Sequence, residues 1–144
     1  MTECTFCKVA LKQIAVQIVA EDDLAMGFMD VSPIRPGHVQ IIPRKHFAAF
    51  DDLPPDVAAD IVQMAQRLAR VMKQMFGVQK VGFMFTGGTG VAHAHAHVVP
   101  MHAPTDITSR LYIAERTVTF RNMPRARDDE LAKLAVKLRL ALGG

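Results

Sequence analysis

The most restrictive feature of this chain is the run His93-Ala94-His95-Ala96-His97, followed by Val98 and Val99. An alternation with a period of two belongs to a β-strand, where successive side chains point to opposite faces. On a strand, all three imidazoles share one face and stand about 7 Å apart in steps of two residues. The two alanines let the other face pack closely. With six histidines in 144 residues, a trio at this spacing arises by chance in roughly 1 in 100 such chains. Three imidazoles buried without partners are costly. The run therefore reads as a reactive site, with a satisfied structural cluster or a purely structural metal site as the blander alternatives. It is internal and interrupted by apolar residues, which sets it apart from an expression tag.

Directly before it lies Thr86-Gly87-Gly88-Thr89-Gly90. Such a loop exposes backbone N–H groups that can cradle a phosphate. By itself it reads equally well as a tight turn. Beside three histidines it supplies what phosphoryl chemistry needs, anion donors next to a nucleophile and an acid.

The rest of the chain reads as support for that strand. Residues 15–21 and 24–31 form two short strands around the acidic pair Asp22-Asp23, which suits a hairpin turn. Pro33 and Pro36-Gly37 break the chain, and residues 38–43 form the next strand. From Pro54-Pro55, the apolar residues Val57, Ile61, Met64, Leu68, Val71 and Met75 recur every three or four positions up to Gly77. That is an amphipathic helix of about five to six turns. Residues 81–85 form another strand, residues 91–99 the histidine strand, ending at Pro100, and residues 110–120 one more. A last helix follows Asp128, with acids at its start and bases near its end, as the helix dipole prefers. The expected fold is α+β: an antiparallel sheet of about five strands, one long helix packed on it and a C-terminal helix. One domain over residues 1–144 is expected, with a core at about 4–102 and a C-terminal extension whose helix covers about 128–142.

The composition excludes several classes. Half of the residues are apolar and 22% are charged, and no apolar run reaches the ~18 residues that span a membrane. The N-terminus carries no signal-peptide pattern, so a cytoplasmic protein is expected. A net charge of +3 is compatible with an anionic small ligand but is no nucleic-acid footprint. The only cysteines, Cys4 and Cys7, form a close pair that reads as a metal site or a redox motif ahead of a structural disulfide.

Here the sequence resembles the histidine-triad (HIT) superfamily, whose signature His-φ-His-φ-His-φ-φ (φ apolar) is matched by residues 93–99. Further likeness to its bacterial members runs, in order, through Cys4-Thr5-Phe6-Cys7-Lys8, Glu21-Asp22-Asp23, Phe28-Met29-Asp30-Val31-Ser32-Pro33, Pro36-Gly37-His38 and Ile42-Pro43-Arg44-Lys45-His46. The resemblance implies a HIT-like fold and the following roles. His95 attacks the α-phosphate of a nucleotide and His97 binds the phosphate oxygens beside it. Asp30 bonds the ribose hydroxyls, while Phe28 and Val31 line the base pocket. Gly88, Thr89 and Gly90 hold the phosphate. The implied activity is hydrolysis of a phosphoramidate or phosphoanhydride through a nucleotidyl-histidine intermediate. A nucleotidyltransferase or phosphorylase, and a nucleotide-binding protein with weak catalysis, are the alternatives. The chain departs from the family pattern at three places: Thr89 replaces a loop Gln, Thr86 stands nearest to a strand-end Asn, and Met101 replaces a basic residue.

Two thiolates and two imidazoles, Cys4, Cys7, His46 and His93, make a tetrahedral zinc set, and the family's zinc-bearing members have ligands at these positions. The resemblance thus implies one structural zinc per chain, a purine nucleotide or nucleotide conjugate as ligand, and a homodimer built largely on the helix over residues 54–76; Met72 and Phe76, off the centre of its apolar stripe, are the candidates to meet the partner. Nucleic acid and membranes are not expected partners. No role is assigned to His38 or His102, which read as surface or packing histidines.

Overall fold

The computed structural model describes residues 3–103 and 124–143. Its elements in chain order are helix α1 (Thr5–Ala10), strands β1 (Ile18–Glu21), β2 (Ala25–Met29) and β3 (Val39–Pro43), helix α2 (Pro55–Phe76), strands β4 (Lys80–Thr86) and β5 (His95–Met101), and helix α3 (Asp128–Leu142). The strands form one antiparallel sheet in the order β1-β2-β3-β5-β4. The α+β architecture expected from the sequence is therefore the one observed. The strand expected over residues 110–120 lies outside the described residues.

The β1–β2 hairpin closes as its acidic pair predicts. The Asp22 carboxylate accepts from the N–H groups of Leu24 and Ala25, each at 2.9 Å, so the side chain mimics a backbone turn. Helix α2 begins with a proline in its first turn and ends at Gly77, whose φ of 64° supplies the left-handed cap. Val57, Ile61, Met64, Ala65, Leu68 and Met72 bury one side of it.

The period-two pattern of the sheet divides its two faces. Val39 and Ile41 of β3, with Ala96 and Val98 of β5, join the buried side of α2 and Leu131, Ala135 and Leu138 of α3 in the main core. Truncating Ile61 or Leu68 to Ala would cost about 2–5 kcal/mol. The small side chain of Ala96 lets helix and sheet meet closely. The opposite face carries Gln40 and Ile42 of β3 and His95 and His97 of β5, and α1 covers part of it through Val9 and Ala10 packed with Met26, Phe28 and Ile42.

Three expectations need correction. Met72 is fully enclosed in the core as one of the six buried residues of α2; it cannot meet a partner. Helix α1 was not anticipated: six residues around Cys7 are too few for periodicity to show. The histidine strand begins at His95, not at Val91. The Ala94 N–H donates to the Phe47 carbonyl at 2.7 Å, so the chain before His95 is held by the loop after β3 instead of by a sheet ladder. The three histidines consequently do not form three equal steps on one strand.

Candidate active site and metal centre

The site face is a small grid fixed by strand register. Phe28, Gln40, His97 and Met84 are successive cross-strand neighbours on β2, β3, β5 and β4. Thr86 is paired with His95 in the same way. The turn that delivers His38 depends on Gly37, whose φ is +94° and whose place a β-carbon could not take, since it would lie 2.5 Å from the Phe76 ring.

Hydrogen-bond partners fix the state of each imidazole. His95 Nδ1 lies 2.7 Å from the His93 carbonyl. A carbonyl only accepts, so Nδ1 carries the proton and Nε2 keeps its lone pair. That nitrogen is 2.9 Å from Thr86 Oγ1, whose hydroxyl donates to it. His38 Nδ1 accepts from the Ile34 N–H at 3.1 Å, so its Nε2 bears a proton and donates to His97 Nδ1 at 2.8 Å. His97 therefore presents Nε2–H as a donor. Burial holds both rings neutral: it pushes His38 down to about 4, with the Asp30 carboxylate opposing and His97 adding to the shift. Burial also lowers His97, with His95 adding to the effect and Asp30 opposing it. The result is a nucleophilic nitrogen on His95 beside a neutral donor on His97, their rings 5.1 Å apart.

Asp30 is buried at the end of this face. Its Oδ1 accepts from the Ser32 N–H at 2.7 Å and its Oδ2 from Gln40 Nε2 at 2.6 Å. Phe28 is buried against Phe6, with ring centroids 5.8 Å apart, and Phe6 also stands edge-on to His95 at 5.3 Å. Val31 is exposed beside Asp30. In the glycine loop, the Gly88 N–H donates to the Ala48 carbonyl at 2.8 Å, so that amide is engaged within the protein. Gly87 lets the loop lie on this segment: a β-carbon there would fall 2.7 Å from the Ala48 oxygen. Thr89 and Gly90 are exposed.

His93 faces away from this chemistry. It is fully buried, and its Nε2–H donates to the Pro43 carbonyl at 3.0 Å. Its Nδ1 lone pair points at Cys4 Sγ and Cys7 Sγ, 3.4 and 3.5 Å away, while His46 Nδ1 lies 3.3 Å from Cys7 Sγ. All four donor atoms lie within 4.8 Å of one another. With zinc–sulfur and zinc–nitrogen bonds near 2.3 and 2.0 Å, a tetrahedral S···N edge is about 3.6 Å, so these residues fit a zinc ion. Four protein donors leave no open position, which makes such a site structural. A second convergence, Asp30, His38 and His97, does not fit a metal in the same way. Ligation through His38 Nε2 needs the proton moved to Nδ1, where it would confront the Ile34 N–H.

The structure thus brings together His95, His97, Thr86, Phe28 and Asp30 on one face and gathers Cys4, Cys7, His46 and His93 next to it. Sequence reading missed Phe6, His38 and Gln40. A signal was present for two of them: His38 and Gln40 alternate with Val39 as the triad histidines alternate with alanine, and so share a face. His102 does pack at the surface, against Phe76 at 5.3 Å and the Pro36 carbonyl at 2.9 Å.

A five-stranded antiparallel sheet with paired, tautomer-fixed histidines on the face away from the long helix defines a histidine-triad protein. The chain belongs to the HIT family: the HIT domain model matches residues 11–103, a stretch that begins after Cys4 and Cys7. Among curated proteins it is 29% identical over 105 residues to an uncharacterized HIT-like protein of Methanocaldococcus jannaschii, covering 69% of this chain and 79% of that one. It is 31% identical over 101 residues to an adenosine 5′-monophosphoramidase of Saccharomyces cerevisiae, covering 67% of this chain and 61% of that one. Among solved structures, a zinc-bound histidine triad family protein of Mycobacterium smegmatis superposes with a TM-score of 0.77 at 25% identity, covering 99% of this chain and 94% of that one. Among the described residues, no helix is long and apolar enough to cross a membrane.

Proposed function

We propose that the protein is a nucleotide hydrolase that cleaves a phosphoramidate or phosphoanhydride bond at the α-phosphate through a nucleotidyl intermediate on His95. The observation that carries this reading is the fixed tautomer of His95: Nδ1–H is tied to the His93 carbonyl at 2.7 Å, which leaves the lone pair on Nε2, where only the exchangeable Thr86 hydroxyl meets it. A phosphoramidase among its relatives supports the same chemistry.

In the first step, the Nε2 lone pair forms a bond to phosphorus as the bond to the leaving group breaks. That group departs with the electron pair and takes a proton from solvent, balanced by the one that water gives up in the second step. His97 Nε2–H steadies the phosphate oxygens, and Thr86 with the loop at Gly88, Thr89 and Gly90 completes the anion site, the Thr89 and Gly90 amides donating while the Gly88 N–H stays on the Ala48 carbonyl. The ribose lies at Asp30 and the base, of purine type, near Phe28 and Val31. Water then attacks phosphorus, the nucleoside monophosphate leaves, and the electron pair of the broken bond returns to His95.

In this reading the whole chain, residues 1–144, is one cytoplasmic HIT-like unit. Cys4, Cys7, His46 and His93 hold one zinc, which supplies no chemistry to the reaction and ties α1 to the segment before His95. We keep the homodimer within the proposal but not its contact through Met72. Exposed apolar side chains on these elements include Val62 on α2 and Phe83 and Met84 on β4, and Phe50 is exposed beside Phe85. Light scattering at micromolar concentration should give about twice the chain mass; an active monomer would remove this element.

The central test is mass spectrometry of the protein quenched during turnover of an amine-linked adenylate. A nucleotidyl adduct on His95 is expected. Turnover with no adduct, in wild type or in variants slowed at the second step, would sink the mechanism.

A further inference from the structure

Among the described residues, one buried polar atom of the site face has no partner. Gln40 sits at the centre of the grid, with Phe28 on one side and His97 on the other. Its amide orientation is set by Asp30: a carboxylate oxygen only accepts, so the group 2.6 Å from Asp30 Oδ2 is Nε2, and Oε1 is the opposite end. That Oε1 is buried and unpartnered. An unsatisfied buried acceptor costs about 1–3 kcal/mol, and an apolar side chain at this position would carry no such cost. Native proteins leave few such groups, and this one lies among the residues of the candidate site.

We propose that Gln40 is a substrate-contacting residue whose Oε1 accepts a hydrogen bond from a ribose hydroxyl of the bound nucleotide. The inference rests on the nucleotide reading given above and adds a residue to it. A nucleotide offers two kinds of donor that an amide oxygen can accept: the sugar hydroxyls and an exocyclic amine of the base. The sugar is favoured by the anchor. Gln40 is one hydrogen bond from Asp30, the carboxylate that would hold the ribose, and each Asp30 oxygen already takes one hydrogen bond from Ser32 or Gln40. A diol presents two donors, and the Gln40 oxygen adds an unused acceptor beside the carboxylate. Gln40 would then both orient Asp30 and read the sugar.

Calorimetric binding of nucleoside monophosphates tests this independently of turnover. AMP, its 2′-deoxy and 3′-deoxy counterparts and inosine monophosphate are titrated into wild type, Gln40→Met and Gln40→Leu. Methionine keeps the length and removes the polar atoms, and circular dichroism melts confirm that each variant folds. For AMP, a loss of about ten-fold in affinity is expected, the size of one hydrogen bond, together with loss of the wild-type preference over one deoxy analogue. Equal weakening of AMP and both deoxy analogues overturns the proposal, as does a loss that follows the base amine and vanishes with inosine monophosphate. Failure of the nucleotide reading looks different: wild type would bind none of the four ligands.

Discussion

The two ends of the histidine run share residue type and spacing but have opposite fates. His93 donates through Nε2 to a carbonyl and turns its Nδ1 lone pair to two thiols. His95 donates through Nδ1 to a carbonyl and turns its Nε2 lone pair to an open face with Thr86. In each case one backbone oxygen decides which nitrogen stays basic. One imidazole then suits a closed metal centre and the other a nucleophile. The sequence motif names the atoms, and the carbonyl partners assign the tasks.

The sharpest way to break this contrast is His95→Ala. Turnover should fall by about a thousand-fold or more, with nucleotide affinity within a few fold, since a nucleophile acts mainly in the transition state. Steady-state kinetics beside calorimetry will separate the two; a variant that keeps most of its kcat ends the assignment. At the other end, about one zinc per chain is expected by elemental analysis of protein purified without added metal. Chelation or His93→Ala should lower the melting temperature by several degrees or more. Zinc-free protein with unchanged stability under reducing conditions would leave the thiol end without its proposed role.

A third prediction concerns His38, which belongs to neither end but sets the proton on His97. Its pKa falls from an ordinary value of 6.5 to about 4 in the folded protein. Between these values the unfolded chain holds the proton and the folded protein does not. Stability is therefore full above 6.5 and declines as the pH falls toward 4, by about 3 kcal/mol from this group. Urea unfolding across that window should show the decline in wild type and a flatter profile in His38→Gln. The smallest effect is expected from Thr86→Val, which removes the hydroxyl on His95 Nε2 while preserving the strand. A few-fold fall in kcat/KM is expected, the size of one modest hydrogen bond; an unchanged value would make Thr86 a spectator.

Much of this molecule could be read before its fold was known, where a pattern repeated often enough to be seen. The long helix showed itself through six spaced apolar residues, and the β1–β2 turn through two aspartates. The metal set came from the family resemblance, not from spacing, because Cys7 and His46 are brought together only by the sheet. What stayed hidden depended on partners distant in sequence. That His93 leaves the strand follows from the Phe47 carbonyl, 47 positions earlier, taking the Ala94 N–H. That Met72 is fully buried while Val71 and Met75 are only partly so depends on how α2 is rotated over the sheet. His38 looked idle because its hydrogen-bond partners, Ile34 N–H and His97, meet only in the turn that Gly37 permits.

His93 bonds in two directions at once, ring to thiols and carbonyl to His95. If zinc and nucleotide bind as proposed, the metal centre and the nucleotide site are linked equilibria. Whatever factor the bound ion contributes to nucleotide affinity by holding that carbonyl, the nucleotide must return to the ion's affinity. Where the ion favours nucleotide binding, a nucleotide-saturated site would hold its metal more tightly against a chelator than an empty one, and the rate of metal loss would report how fully the protein is loaded.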